Sequence, residues 1–281
     1  MRNYLWVILS LWMSVSFIQA QTEGLPTNKF HVRSTLYGVG YTNILDTYLS
    51  PVEYKGTEIR LLRENMRMTH LMDGNVSSQS MFQLYFSLTK NRANTGNEWG
   101  GMVNGTQAWH YQWRFGNLKL MAGPMIDLNL GFLYNTRNSN NPAQAIANLN
   151  LDASGMAVYH FSIKNHPMIA RYQLNIPVAG VMFSPDYGQS YYEIFELEHS
   201  NHNVLFTSLH NRPTFRQLLT LDIPVRSSCI RIGYLCDIQQ SNVNYIKSHQ
   251  WSHTLMLGFV KTLFPVKEKN RMISSSPYNP F

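Results

Sequence analysis

Apolar and polar residues alternate with a period of two along most of the chain. Between residues 147 and 163 the odd positions are apolar, as at Leu149 and Leu151, while even positions carry polar side chains such as Asn148 and Asp152. This alternation predicts β-strands with one apolar and one polar face. The runs are about 10 to 17 residues long, against about 5 to 6 in soluble domains, and such length is typical of strands that cross a membrane.

The alternating segments predict an all-β, antiparallel transmembrane barrel of about twelve strands, within a range of roughly ten to fourteen. An even number of strands closes a barrel and leaves no edge exposed. The eighth and ninth segments alternate least clearly. The predicted strands are 31–44, 57–69, 78–91, 98–115, 118–133, 146–163, 167–180, 189–198, 203–211, 214–224, 229–239 and 248–264.

The lengths of the predicted connections agree with a barrel. Short links follow even-numbered strands, at 115–117, 164–167 and 224–228, whereas longer polar links such as 240–247 follow odd-numbered ones. The exception is the Arg212-Pro213 link after strand nine, which is short although it should lie outside. Bacterial barrels have short periplasmic turns and longer outer loops. This places the N-terminus in the periplasm, and the strand numbering then assigns residues 198–203 to a periplasmic turn.

An export signal precedes the predicted barrel. Arg2 supplies a positive charge, residues 4–18 are apolar apart from three serines, and Ile18-Gln19-Ala20 offers a small-residue cleavage site. Export to the outer membrane gives outer-membrane lipid and the barrel-assembly machinery as the expected partners. The predicted organisation is a signal peptide over 1–20, an outer-membrane barrel over 21–264 and a polar C-terminal tail over 265–281.

Composition supports a surface that partly faces lipid. Only 14% of the residues are charged and 13% are aromatic, whereas soluble domains average about 25% charged residues. The net charge of +7 suits anionic head groups or anionic solutes, but the basic residues are scattered, as in ordinary surface charge. Export argues against nucleic acid as a partner, and no nucleotide-binding motif implies a cofactor.

The two cysteines, Cys229 and Cys236, lie seven positions apart in one predicted strand. An odd spacing puts them on opposite faces, roughly 23 Å apart along the strand, and a disulfide needs α-carbons within about 7 Å. We therefore expect two free cysteines. The spacing of His199, His202 and His210 does not make these side chains converge, so no metal site is expected.

The weak candidates for catalysis are His199, Ser200 and His202. Outer-membrane lipid hydrolases carry a His and a Ser two apart on one strand, followed by Asn, so that the imidazole can take the serine proton. Here His199 and Ser200 are adjacent and would point to opposite faces of a strand, and Ser200 and His202 have the right spacing in reversed order. We expect a polar turn and no enzyme, with acyl-ester hydrolysis as the alternative.

The polar strand faces predict charged side chains inside the barrel. Four positive and four negative groups in a narrow lumen are expected to pair across strands. They would form either a salt-bridged plug or a narrow, porin-like solute path, and a barrel of this size is compatible with both. The predicted lumen residues are Arg114, Asp127, Asp152, Arg171, Arg216, Asp222, Arg231 and Asp237.

Four stretches, in this order after a signal peptide, carry a family resemblance. They are Leu36–Gly40, Asp46–Pro51, Ser184–Phe195 and Leu221–Pro224. Together they resemble a Bacteroidota family, of Bacteroides or Prevotella type, filed as a domain of unknown function. The resemblance would cover nearly the whole mature chain. It implies an exported, outer-membrane-barrel-like protein and supplies no activity and no site residues.

Three functions therefore stay open. The first is a non-enzymatic outer-membrane barrel, either a narrow channel or a structural and interaction protein. The second is an outer-membrane lipid hydrolase. The third is a soluble periplasmic β-barrel or sandwich that binds a small apolar ligand, which would also explain the alternation but predicts shorter strands and a more charged exterior.

Overall fold

The computed structural model describes residues 31–263 apart from 165, 200–201 and 226–227. Ten antiparallel strands form a closed barrel, in which β1 pairs with β2 on one side and with β11 on the other. The strands are β1 (His31–Asp46), β2 (Ser50–Met68), β3 (Val76–Asn91), β4 (Asn97–Phe115), β5 (Leu118–Asn135), β6 (Ala143–Ile163), β7 (His166–Phe183), β8 (Val204–Ser208), β9 (Phe215–Val225), β10 (Ser228–Val243) and β11 (Ile246–Leu263). The predicted barrel is confirmed, with ten strands in the ring rather than twelve. The predicted signal peptide and the whole of the predicted tail lie outside the described residues.

The eighth predicted strand is wrong, and the ninth is shorter than predicted. Residues 189–198 hold a short helix, α1 (Tyr191–Phe195), and residues 203–211 hold only the five-residue strand β8. A capping box forms α1, because the Ser190 side chain accepts the Glu193 backbone N–H while the Glu193 carboxylate accepts the Ser190 backbone N–H. No helix in the described part of the chain has the length and hydropathy to cross a membrane as a helix.

β8 stands outside the ring of ten. It pairs with the end of β7, over Ala179–Phe183, while β9 pairs with β7 over Ile169–Asn175. The loop of residues 209–214 connects the two strands. It is held to β10 by a hydrogen bond from the Asn242 backbone N–H to the Asn211 carbonyl oxygen at 2.8 Å.

Both ends of the described chain lie at one end of the barrel, since His31 pairs with Leu263. We call this the proximal end and the other the distal end. The described residues of the connection 184–203, which are 184–199 and 202–203, lie at the distal end. The predicted periplasmic turn at 198–203 is therefore not on the side of the N-terminus, and this prediction is wrong. The error follows from counting 189–198 as a strand. The predicted long link over 240–247 was also wrong, because β10 and β11 continue to a two-residue turn.

The interior is filled by alternating apolar and charged layers. Read along β2 from the proximal end, the inward side chains are Met66, Glu64, Leu62, Arg60 and Glu58, and all are buried. Apolar clusters surround the first and third of these positions. A further apolar cluster closes the distal end, made of Ile44, Tyr48, Leu49, Leu133 and Ile246.

The outward face is apolar over most of its height, as β5 shows. From residue 120 to residue 134 every outward position on β5 is apolar or aromatic, and Ile126 is 45% exposed. Fourteen residues extend roughly 46 Å along a strand, or about 35 Å along the axis of a barrel whose strands tilt by about 40°. The outward row therefore has the height of a bilayer's hydrocarbon core, which is about 30 Å.

Candidate functional site

Glu64 is the centre of a buried charge cluster in the proximal half of the interior. Arg171 donates from Nη1 to Glu64 Oε1 at 2.6 Å and from Nη2 to Oε2 at 3.0 Å, and Arg231 donates from Nη1 to Oε2 at 2.6 Å. Arg231 also holds both carboxylate oxygens of Asp222, its direct neighbour across β9 and β10. We call Glu64, Arg171, Asp222 and Arg231 the proximal charge cluster. It is formally neutral, which lets four charges be buried together.

A second cluster lies in the distal half, beyond the apolar layer around Leu62. Arg60 donates to Glu58 at 2.8 Å and to Asp237 at 3.1 Å, and its guanidinium carbon is 3.9 Å from the centroid of the Tyr85 ring. Arg216 donates to Asp127 at 3.1 Å, and its Nε lies 3.3 Å from the Asp237 carboxylate. These charges also pair across the lumen and not with solvent. The distal charge cluster consists of Glu58, Arg60, Asp127, Arg216 and Asp237.

The structure buries seven of the eight predicted lumen residues. Six of them belong to the two clusters, and Asp152 is buried beside the distal one. Arg114 differs, since it is exposed near the proximal end of β4. Arg114 occupies one of the even-numbered positions of β4, which face inward, but at residue 114 the strand already extends beyond the packed interior.

Four buried charged residues that hold the interior together were not predicted. Glu58, Arg60 and Glu64 lie on β2, where Leu62 on the inward face and Arg63 on the outward face interrupt a clean division into one polar and one apolar face. Arg212 lies in the loop between β8 and β9, and donates hydrogen bonds to Asn150 at 2.6 Å and to Gln239 at 2.8 Å. Strand parity is the signal that could have placed the three β2 residues inside.

The connection 184–203 packs onto the distal apolar cluster. The Tyr48 hydroxyl donates to the Gln189 carbonyl at 2.8 Å, and the Tyr191 hydroxyl donates to Gln144 at 2.9 Å. Burial, with Tyr191 and Asp46 nearby, raises the pKa of Tyr48 to about 12. Burial also raises the pKa of Tyr191. Both phenols are therefore neutral donors at ordinary pH and tie the connection to the barrel.

A cavity of about 290 Å³ opens at the proximal end. Apolar side chains form most of its wall, including Val32, Met66, Met121, Met156 and Val260. Lys119, His160, Arg171, Asp222 and Arg231 supply its charged or ionisable groups.

The predicted catalytic residues are not brought together by any described contact between their side chains. His199 and His202 are exposed in the distal connection, and Ser200 lies outside the described residues. Ser208 and His210 were not predicted as a pair, yet Ser208 Oγ lies 2.5 Å from His210 Nδ1. Within the described residues, no group of three or more His, Cys, Asp or Glu side chains could hold a metal ion, and both cysteines are free.

The chain belongs to a family described as "Protein of unknown function (DUF3316)", whose model matches residues 4–270. No curated protein matches it.

Several solved outer-membrane proteins have a similar fold at low identity. The translocator domain of the autotransporter NalP from Neisseria meningitidis is 10% identical, with a TM-score of 0.40, over 91% of this chain and 95% of that one. The transport unit of the autotransporter AIDA-I from Escherichia coli is 7% identical, with a TM-score of 0.42, over 86% and 93%. An outer-membrane channel from Pseudomonas putida F1 is 10% identical, with a TM-score of 0.36, over 87% and 98%.

Proposed function

We propose that the protein is an integral outer-membrane barrel with a closed interior, and that it has a structural or interaction role. The observation that carries this proposal is the stack of apolar and charged layers inside the ring. Each charge cluster is held by ion pairs between its own members, and within the described residues it leaves no row of solvated groups for a solute to follow.

Membrane insertion is supported by the outward face. Soluble proteins rarely expose contiguous apolar patches larger than a few hundred Å², whereas here the outward positions of β5 are apolar over the height of a bilayer. Trp99 packs against Tyr134 near the distal end, at 5.9 Å between ring centroids, and Tyr111 packs against Trp113 near the proximal end, at 4.9 Å. Aromatic pairs at these two levels match the interface girdles of membrane barrels.

The same proposal includes export through a cleaved signal peptide and an origin in the Bacteroidota. The sequence of residues 1–20 and the four family-like stretches support these two points. N-terminal sequencing of the protein purified from outer membranes is expected to begin at Gln21.

Conductance measurements test whether the interior of the barrel is closed to solutes. Purified wild-type protein in a planar bilayer is expected to give no stable current steps, and its band on a denaturing gel should shift on boiling. Stable steps from the heat-shifting wild type would overturn the closed interior, and recovery in a detergent-free soluble fraction would overturn membrane insertion.

We also propose that the protein is not a lipid hydrolase. The Ser208–His210 pair is the contact on which an acyl-ester hydrolysis would rest, and in the described part of the chain no acidic side chain orients His210. Wild type, Ser208→Ala and Ser200→Ala should all leave a short-chain acyl ester uncleaved above background. Hydrolysis that either substitution abolishes would overturn this part of the proposal.

A further inference from the structure

A basic groove lies on the outer surface at the distal end of the barrel. It has a volume of about 980 Å³ and is bounded by the start of β2, by the end of β3 with the turn that follows it, and by the loop after β5. Its charged side chains are exposed, and they are Glu53, Lys55, Lys90, Arg92 and Arg137. Four cations and one carboxylate leave a formal excess of three positive charges.

The carboxylate is already used by one of these cations. Glu53 pairs with Lys55 at 2.9 Å, whereas Lys90, Arg92 and Arg137 form no ion pair with another described residue. Lys55 and Lys90 are also direct neighbours across β2 and β3. Side chains in such a pair have Cβ atoms about 5 Å apart, and like charges there are destabilising. An anion bound in the groove would relieve this repulsion.

Arg137 is held in place at the edge of the groove. Its Nη1 donates to Thr95 Oγ1 at 2.8 Å, and its backbone N–H donates to the Asn135 side chain at 3.0 Å. Its stem lies so close to Gly96 that a Cβ at that residue would collide with it. A guanidinium that is already positioned loses less side-chain entropy when it binds, and its planar donors match the oxygens of a phosphate group.

The groove lies at the level of lipid head groups. Leu88 is the last apolar outward side chain of β3, and it pairs with Trp99. Trp99 packs against Tyr134 in the distal pair of aromatic residues, and such aromatics mark the boundary between hydrocarbon and head groups. Lys90 is the next outward residue of β3, roughly 7 Å further along the strand. It therefore lies just beyond the hydrocarbon core, where the phosphates of a leaflet are found.

We propose that this groove binds the phosphate group of an anionic lipid in the leaflet at the distal end. The phosphate oxygens accept hydrogen bonds from Lys90 and Arg137, and Arg92 adds to the attraction. The acyl chains lie along the apolar outward side chains of β3, which continue from the groove through Leu88 and Phe86. The inference rests on the proposed insertion of the barrel into the membrane.

Dihexanoyl phosphatidate is the probe, because it is anionic and its short chains keep it soluble, and dihexanoyl phosphatidylcholine has the same chains without net charge. Calorimetric titration of the full-length protein in dodecyl maltoside micelles is expected to show saturable phosphatidate binding. Phosphatidylcholine should bind about tenfold more weakly or worse, as for loss of charged hydrogen bonds. Inorganic phosphate should also bind more weakly than phosphatidate, because it has no acyl chains. Empty micelles correct for partitioning of the lipids.

The outcomes separate this inference from membrane insertion. Equal binding of the two lipids, no saturation, or inorganic phosphate that binds as tightly as phosphatidate would overturn the lipid site alone if the band of the protein still shifts on boiling. Recovery of the protein without detergent, with no band shift, would overturn both membrane insertion and the lipid site.

Substitutions locate the site. Lys90→Gln and Arg137→Gln each remove one cation and should weaken phosphatidate binding severalfold, and the double variant should bind the two lipids almost equally. Lys90→Arg keeps the charge and should bind as wild type does. Lys247→Gln is the matched control, since Lys247 is exposed at the same end on β11 and does not line the groove. A loss for Lys247→Gln equal to that for Lys90→Gln would overturn the site.

Discussion

Replacing Glu64 with Gln should destabilise the barrel by about 3 to 5 kcal/mol, the cost of removing one partner from a buried ion pair. Glu64 is the shared carboxylate of Arg171 and Arg231, and its side chain is 2% exposed. Without its charge the proximal charge cluster holds two guanidinium groups and one carboxylate, so one positive charge is buried without a counterion. Solvent screening does not reduce this cost, because all partners are buried.

The assay is unfolding by guanidinium in lipid vesicles, followed by tryptophan fluorescence. The control is Glu53→Gln, which removes an ion pair to Lys55 whose side chains are 42% and 52% exposed, and should cost at most about 1 kcal/mol. A second variant, Glu64→Met/Arg171→Met, removes one charge of each sign while Arg231 keeps Asp222. It should be more stable than Glu64→Gln. A loss for Glu64→Gln no larger than that for Glu53→Gln would refute the reasoning and indicate a hydrated lumen.

Three further predictions test other parts of the molecule. Ile126→Arg, near the middle of the outward row of β5, should cost about 2 to 4 kcal/mol in lipid vesicles, whereas Tyr134→Arg at the row's distal end should cost about 0 to 1 kcal/mol. Gly258→Ala should prevent formation of the band that shifts on boiling, since a Cβ there would lie 1.9 Å from the Thr35 carbonyl oxygen, while Gly155→Ala should fold normally because nothing lies within 4 Å of its added Cβ. The folded-state pKa of Tyr48 is raised from 10.0 to about 12, so its contribution to stability is complete below pH 10 and is lost as the pH rises toward 12. Protease cleavage of the connection 184–203 should therefore increase over that range in wild type, and an unchanged rate would contradict the role given to Tyr48.

Much of the ring follows from period-two alternation alone. β4 and β6 have clean apolar and polar faces, and their predicted bounds differ from the observed ones by at most three residues. The inward side of Arg171, Arg216 and Arg231 follows from the same parity. Local patterning suffices here because one face of each strand packs inside the barrel and the other is apolar.

The sequence predictions fail where a local signal competes with alternation, or where the side chains that pair are far apart in the chain. Ser190 and Glu193 form a capping box that starts α1, a signal that tyrosine-rich alternation over 189–198 obscured. The partners of Glu64 are 107 and 167 residues away in the chain, so a single sequence cannot show that these charges meet. Nor can alternation reveal the cavity, which depends on side-chain volumes from many strands at once.

The position of charges on β2 has a consequence for assembly. If β2 paired with a shift of one residue, Glu58, Arg60 and Glu64 would face lipid, since neighbouring side chains point to opposite sides of a sheet. Even in the correct register, Glu64 is neutralised only when β7 and β10 have taken their places in the ring. The same ion pairs therefore form only when strand register and ring closure are both correct. A barrel that closes in the wrong register leaves these charges without partners, either against lipid or inside the lumen.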